Sequence, residues 1–271
     1  MIAISDNIQI RKDKPSGTIV INRPNRRNAL SREMVAGLQQ AFEDLYQENS
    51  VRAIILIGSG NTFCAGTDLQ ELKDTAEGQK ANESWHQDVA RFQELIEYML
   101  RCPKPIICGV NGWVVGCGAA LMLAADVVVA DQDAQVVLPE AKRGLFSGVA
   151  GTLLAHRIGS SHAANLMLTG REVACEDALR LGLFQESVAG DLIWARCQEV
   201  AQQIASGARQ SHHLVKQMLN ETIGEDLFTQ LSIGSANTAA ARTTAAAIEG
   251  ITAFLETVSY THLTLPTTPY V

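Results

Sequence analysis

Three segments of this sequence carry groups fit for chemistry. The first is Asn61-Thr62-Phe63-Cys64-Ala65-Gly66-Thr67-Asp68-Leu69, a turn of small residues after the apolar run Ala53-Ile54-Ile55-Leu56-Ile57. The second is Gly112-Trp113-Val114-Val115-Gly116-Cys117-Gly118-Ala119-Ala120-Leu121, after Pro105-Ile106-Ile107-Cys108-Gly109-Val110. The third is Leu138-Pro139-Glu140-Ala141. Each glycine-marked turn leaves backbone N–H groups free where a helix is about to start, and such groups favour negative charge. Two of these donors aimed at one point can hold the oxygen of an enolate. Glu140 follows the apolar stretch Val136-Val137-Leu138-Pro139. Those neighbours desolvate a carboxyl and raise its pKa toward a value useful in proton transfer. Glu140 is therefore a candidate proton shuttle, although a lone Glu before a helix is more often a solvated first-turn residue.

The elements that must position these groups follow from periodicity. Ile8-Gln9-Ile10 and Gly17-Thr18-Ile19-Val20-Ile21-Asn22 read as a hairpin. Ser31 reads as the N-cap of a helix through Tyr46, with Met34, Leu38, Phe42 and Leu45 on one face. Residues 51–57, 105–110 and 126–130 read as strands, residues 83–100 as a helix, and a short helix follows Cys117. The rhythm is strand, strand, helix, which can stack into a coil of sheet with helices outside. After about residue 190 the pattern turns helical, over 192–204, 211–219, 226–240 and 243–255, broken at Gly207 and Gly224.

Composition narrows the function. The chain has 271 residues, 46% of them hydrophobic, enough for a sizeable core. It contains no apolar run of the ~18 residues needed to cross a bilayer and no signal-peptide start, so a cytoplasmic protein is expected. A net charge of −7, with no basic run longer than Arg26-Arg27, argues against nucleic acid as a main partner, and no membrane partner is expected. The six cysteines form no C-x-x-C pair and read as reduced core thiols, and the histidines show no metal-ligand spacing. Gly58-Ser59-Gly60 lacks the third glycine of a dinucleotide fingerprint, because position 63 is Phe. Ser147-Gly148 is no nucleophile elbow, because Leu145 and Val149 stand where glycines are required.

Taken together the anchors resemble the crotonase, or enoyl-CoA hydratase/isomerase, family. They are Asn22-Arg23-Pro24 with Asn28-Ala29-Leu30, Phe63 to Leu69, Gly112-x-x-x-Gly116-Cys117-Gly118, and Pro139-Glu140. The resemblance implies an α/β fold. A ββα spiral core over 1–190 would bind a CoA thioester, and a helical region over 191–256 would serve oligomerisation. The partners implied are an acyl-CoA substrate and copies of the same chain, as a trimer or a dimer of trimers. CoA would enter as part of the substrate, with no separate cofactor and no metal. The backbone N–H groups of Thr67 and Cys117 would form the oxyanion hole, with Glu140 as the catalytic carboxylate. Arg27 (with Arg26), Ala29, Ala65, Gly66, Asp68, Leu69 and Gly116 would hold the CoA ester. The helix from Glu83 and Trp85 onward, with Trp113 and Phe146, would line the acyl pocket.

One departure is informative. Hydratases of the family with two glutamates carry the second at position 120, where this chain has Ala120. A single carboxylate suits removal of a proton at one carbon and its return at another. That points to Δ3-Δ2-enoyl-CoA isomerase chemistry. The alternatives are a hydratase or hydratase-lyase and, in another class, a weakly active CoA-binding scaffold. Residues 257–271, with Val258-Ser259-Tyr260-Thr261-His262-Leu263, break the helical pattern and have no counterpart in the family. They read as a non-native, adapter-derived tail standing where relatives carry basic CoA-binding residues.

Overall fold

The computed structural model describes residues 2–76, 81–222 and 226–256. The expected tail lies outside the described residues.

Two sheets organise the chain. The larger has seven strands in the order β1 (Ile2–Ser5), β2 (Ile8–Asp13), β3 (Ser16–Ile21), β4 (Ala53–Gly58), β6 (Ile106–Val110), β8 (Val127–Asp131) and β11 (Glu186–Val188). The smaller has four, in the order β10 (Val173–Ala174), β9 (Gln135–Val137), β7 (Trp113–Val115) and β5 (Thr62–Cys64). The first three strands pair antiparallel, including the expected hairpin with Ile8 opposite Ile21 and Ile10 opposite Ile19. From β3 to β11 the larger sheet is parallel. Each later turn of chain gives one strand to the larger sheet and the next to the smaller, then returns through helix. β4 and β5, β6 and β7, and β8 and β9 are the successive pairs, and their parallel stacking is the coil expected from the strand-strand-helix rhythm.

Side-chain alternation explains the layers. Strand β4 is nearly all apolar because both of its faces are covered. Ile54 and Leu56 face the main core, which includes Met34, Leu38, Phe42 and Leu45 of α1 (Arg32–Gln47) and Val89, Phe92, Leu95, Ile96 and Met99 of α3 (Ala81–Arg101). Ala53 and Ile55, with Ile107 and Val129, face Ile193, Cys197, Val200 and Ala201 of α7 (Ile193–Ala205). Ser31 caps α1 as expected, its hydroxyl accepting from Met34 N–H at 3.3 Å.

Helix α2 (Leu69–Ala76) follows the first turn. Helix α5 (Gly148–Thr169), bent at Gly159, has no clear periodic signature in the sequence. Its first half buries Val149, Ala150, Gly151, Leu153 and Leu154 in succession, so no single apolar stripe marks it. The remaining helices are α4 (Cys117–Leu123), α6 (Cys175–Leu181), α8 (Arg209–Gln217), α9 (Leu227–Arg242) and α10 (Ala245–Leu255). Helix α9 packs on α3 and α5, and α10 lies over α2 and the short turn Glu140–Arg143. No helix among the described residues is long and apolar enough to cross a membrane.

Candidate active site

The first turn is held from below by Asn28, which is fully buried. Its amide donates to the carbonyls of Thr62 at 2.7 Å and Ser59 at 2.9 Å, and its Oδ1 accepts from Arg23 N–H at 2.9 Å. Leu30 then pairs alongside the turn. Leu30 N–H donates to Gly66 O at 2.7 Å, and Asp68 N–H donates to Leu30 O at 2.9 Å. In a parallel bridge of this kind the middle residue directs its own N–H to the opposite side. The Thr67 N–H therefore points away from Leu30, and Thr67 lines the cleft described below.

The second turn abuts the first. Gly66, at φ +86°, lies against Val115 O and Cys117 N. Gly116, at φ +55°, donates its N–H to Val137 O at 3.0 Å, and Cys117 opens α4. The first N–H groups of a helix have no intrahelical acceptor. Neither Thr67 N–H nor Cys117 N–H donates to another of the described residues. The two side chains meet, with Thr67 Oγ1 at 3.4 Å from Cys117 Sγ. Burial, against a smaller pull from Thr67, pushes the Cys117 thiol up to about 11, so it stays protonated and is no nucleophile at neutral pH.

The third segment brings Glu140 to the same place. It opens the turn Glu140–Arg143 directly after β9 and packs its carboxylate onto Gly116. Glu140 Oε2 is buried and has no hydrogen-bond partner among the described residues. Burial raises the carboxyl pKa above its ordinary value, while its own backbone N–H, the Ser147 hydroxyl and the Arg143 charge pull the other way.

A cleft of about 800 Å³ joins these groups. The residues expected to form the oxyanion hole, the base and the CoA-ester contacts line it: Arg27, Ala29, Ala65, Gly66, Thr67, Asp68, Leu69, Gly116, Cys117 and Glu140. Their roles differ. Arg26 and Arg27 are exposed at the rim. Ala65 has its N–H committed to Arg27 O at 3.0 Å, leaving its carbonyl for a ligand. Asp68 is committed to the fold: Arg23 reaches its Oδ2 at 2.6 Å, and its Oδ1 accepts from Gln70 N–H at 3.0 Å at the start of α2. Burial pushes the Asp68 carboxyl up, but Arg23 and the N–H groups of Glu71 and Gln70 outweigh it and hold it below the usual carboxylate range. Trp113 and Phe146 line the cleft as expected. Trp85 does not; it packs in a small core with Leu72 and Ile251, and α3 faces the cleft through Asp88, Val89, Arg91 and Phe92 instead.

The overall match is broad. Residues 14–262 match the sequence profile of the enoyl-CoA hydratase/isomerase family. The chain belongs to the enoyl-CoA hydratase/isomerase family. It is 32% identical over 240 residues to the 1,2-epoxyphenylacetyl-CoA isomerase of Escherichia coli K12, covering 88% of this chain and 91% of that one. It is 30% identical over 255 residues to the short-chain-enoyl-CoA hydratase of Clostridium acetobutylicum, covering 93% and 95%. The crystal structure of an enoyl-CoA hydratase/isomerase from Pseudoalteromonas atlantica T6c superposes with a TM-score of 0.82 at 29% identity, covering 94% of this chain and 99% of that one.

In this member of the enoyl-CoA hydratase/isomerase family, Ala120 is fully buried in the main core. The other buried or half-buried cleft carboxylates are tied up. Asp68 is bound by Arg23, Asp88 by Arg32 through two bonds of 2.6 and 2.7 Å, and Glu71 by Arg32 N–H at 2.9 Å. Helix α10 closes one side: the Arg143 guanidinium stacks on Phe254 at 4.5 Å, and Ile251 joins the Leu72–Trp85 cluster. Two features escaped the sequence reading, the half-buried Arg32–Asp88 pair and the buried Arg242 at the end of α9. Arg242 follows Ala239-Ala240-Ala241, and nothing in that run signals a cleft. Among the described residues no group of three or more His, Cys, Asp or Glu gathers as a metal site would require.

Proposed function

We propose that this family member shifts the double bond of a 3-enoyl-CoA to the 2 position, with Glu140 as the proton shuttle. The observation that carries the reading is the Glu140 carboxylate: buried, with Oε2 unpartnered, beside two N–H groups that donate to no other described residue. The CoA moiety would follow the rim, its phosphates toward Arg26 and Arg27 and its pantetheine along Ala29 and Ala65 to Leu69. The thioester oxygen would sit between Thr67 N–H and Cys117 N–H.

The step balances without a redox partner. Glu140 takes the proton from Cα, whose electron pair passes into the thioester as an enolate conjugated with the β,γ double bond. The two N–H donors carry the developing oxyanion, an effect for which each donor is worth about 10²–10³ in rate. Glu140 then returns the proton at Cγ, leaving the α,β-unsaturated ester. Water addition needs a second group to position the water, and Ala120 supplies none. Hydratase or hydratase-lyase activity is the alternative, supported by the hydratase relative. A CoA-binding scaffold is disfavoured by the intact Glu140.

The test incubates wild type and Glu140→Gln with 3-hexenoyl-CoA and crotonyl-CoA in D₂O. The expected result is conversion of the 3-enoyl ester with the abstracted hydrogen carried at least in part to Cγ and not fully replaced by deuterium, little hydration of crotonyl-CoA, and loss of the conversion in the variant. Hydration alone moves the assignment to a hydratase, and full turnover by the variant removes Glu140 from the chemistry. The same reading makes the protein a cytoplasmic homotrimer or dimer of trimers. Support comes from the free cysteines and from exposed apolar side chains such as Leu168, Leu214 and Ile233.

A further inference from the structure

Arg242 is a buried cation at the cleft that no described side chain or carbonyl satisfies. The residue is 8% exposed and lines the same cavity as Glu140 and Cys117. Its Nη1 is buried without a hydrogen-bond partner, and among the described residues the guanidinium makes neither a hydrogen bond nor an ion pair. It lies near enough to Cys117 for each to bias the other's protonation, which places it beside the reacting end of the ester rather than at the CoA rim.

Its charged neighbours do not neutralise it. Asp88 faces it from α3, but both Asp88 oxygens are already held by Arg32, at 2.6 and 2.7 Å. Arg32 itself repels Arg242, and Glu71 is spent on the Arg32 backbone N–H. Val89 and Phe92 on α3 and Val149 on α5 line the same cleft as apolar side chains. A guanidinium cannot shed its proton, and its planar fork matches a carboxylate with two parallel bonds. An uncompensated buried charge is costly unless a ligand completes it.

We propose that Arg242 binds a carboxylate at the far end of the acyl chain, so that the substrate is the CoA monothioester of a short dicarboxylic acid. This rests on the CoA-thioester reading above and narrows it. Arg242 sets specificity and takes no part in proton transfer.

The test separates selectivity from catalysis. Competitive binding of two unreactive esters, glutaryl-CoA and butyryl-CoA, is measured by calorimetry on wild type, Arg242→Met and Arg242→Lys. Wild type should bind glutaryl-CoA at least tenfold more tightly than butyryl-CoA. Arg242→Met should abolish or reverse that preference while leaving butyryl-CoA affinity within about threefold, and Arg242→Lys should retain part of it. Equal binding of the two esters by wild type, or an equal loss of both in Arg242→Met, overturns the assignment. If Arg242→Met does not fold, the wild-type comparison alone decides. The binding preference can hold even if no double-bond shift is found, in which case the isomerase reading fails and this one stands. Binding of neither ester removes both.

Discussion

Gly116 lies directly beneath the Glu140 carboxylate: a Cβ at position 116 would clash with Glu140 Oε1. The same residue sits at φ +55°, in the left-handed region that side chains disfavour. One glycine thus sets the turn that presents the Cys117 N–H and leaves the space in which the base sits. Gly116→Ala is expected to cost about 1–3 kcal/mol of stability and to lower turnover more than binding. Urea unfolding and the split of kcat against KM on a 3-enoyl-CoA check both halves; an active variant of wild-type stability would refute the relationship.

Glu140→Gln keeps the shape of the side chain and removes its basicity. Turnover should fall by about 10²–10⁴, with ester affinity nearly unchanged, as read by steady-state kinetics and calorimetry.

The raised pKa of Glu140 makes a signed prediction about pH. The ionised form is the base, so kcat/KM should climb as pH rises through the folded-state pKa, which lies above the ordinary 4.5. Stability runs the opposite way. The folded protein binds this proton more tightly than the unfolded chain, so the group's stabilisation is complete below about 4.5 and is lost as pH rises through the folded value. Melting temperatures of wild type and Glu140→Gln should therefore diverge with rising pH, the variant gaining. Parallel melting curves from pH 4 to 9 would count against a buried, raised carboxyl.

Restoring a second carboxylate tests the one-base reading. Ala120 is fully buried, so Ala120→Glu must desolvate an unpaired carboxyl, at a cost of about 1–3 kcal/mol or more in stability. In the protein that folds, the ratio of crotonyl-CoA hydration to double-bond shift should rise. A folded variant with no gain in water addition, followed by ultraviolet absorbance of the enoyl ester, would show that two carboxylates are not what hydration lacks here.

Asn28 is expected to matter to the site without touching it. Asn28→Ala would leave Thr62 O and Ser59 O short of a donor and release the chain beside Leu30 and Thr67. The expected loss is about 1–3 kcal/mol, measured by thermal unfolding, with a fall in turnover at temperatures where the variant is still folded.

The sequence by itself determined the parts that are local. Apolar runs named the central parallel strands β4, β6 and β8, Ser31 named the start of α1, and the spacing of Met34, Leu38, Phe42 and Leu45 named its buried face, because period and capping are properties of neighbouring residues. The glycines at 66 and 116 and the apolar flank of Glu140 were legible for the same reason. Tertiary structure decided the rest. Trp85 fell on the core rather than the cleft, because which face of α3 meets α2 and α10 depends on segments far away in the chain. Helix α5 stayed hidden because burial on all sides of its first half erases the stripe that periodicity needs and the bend at Gly159 interrupts the register of the rest. That Asp68 is spent on Arg23, that Asp88 is spent on Arg32, and that Arg242 is left with no partner are facts of packing between residues 45, 56 and more positions apart. A sequence can place a charged residue on a helix, but only the folded protein shows which charges have already found each other.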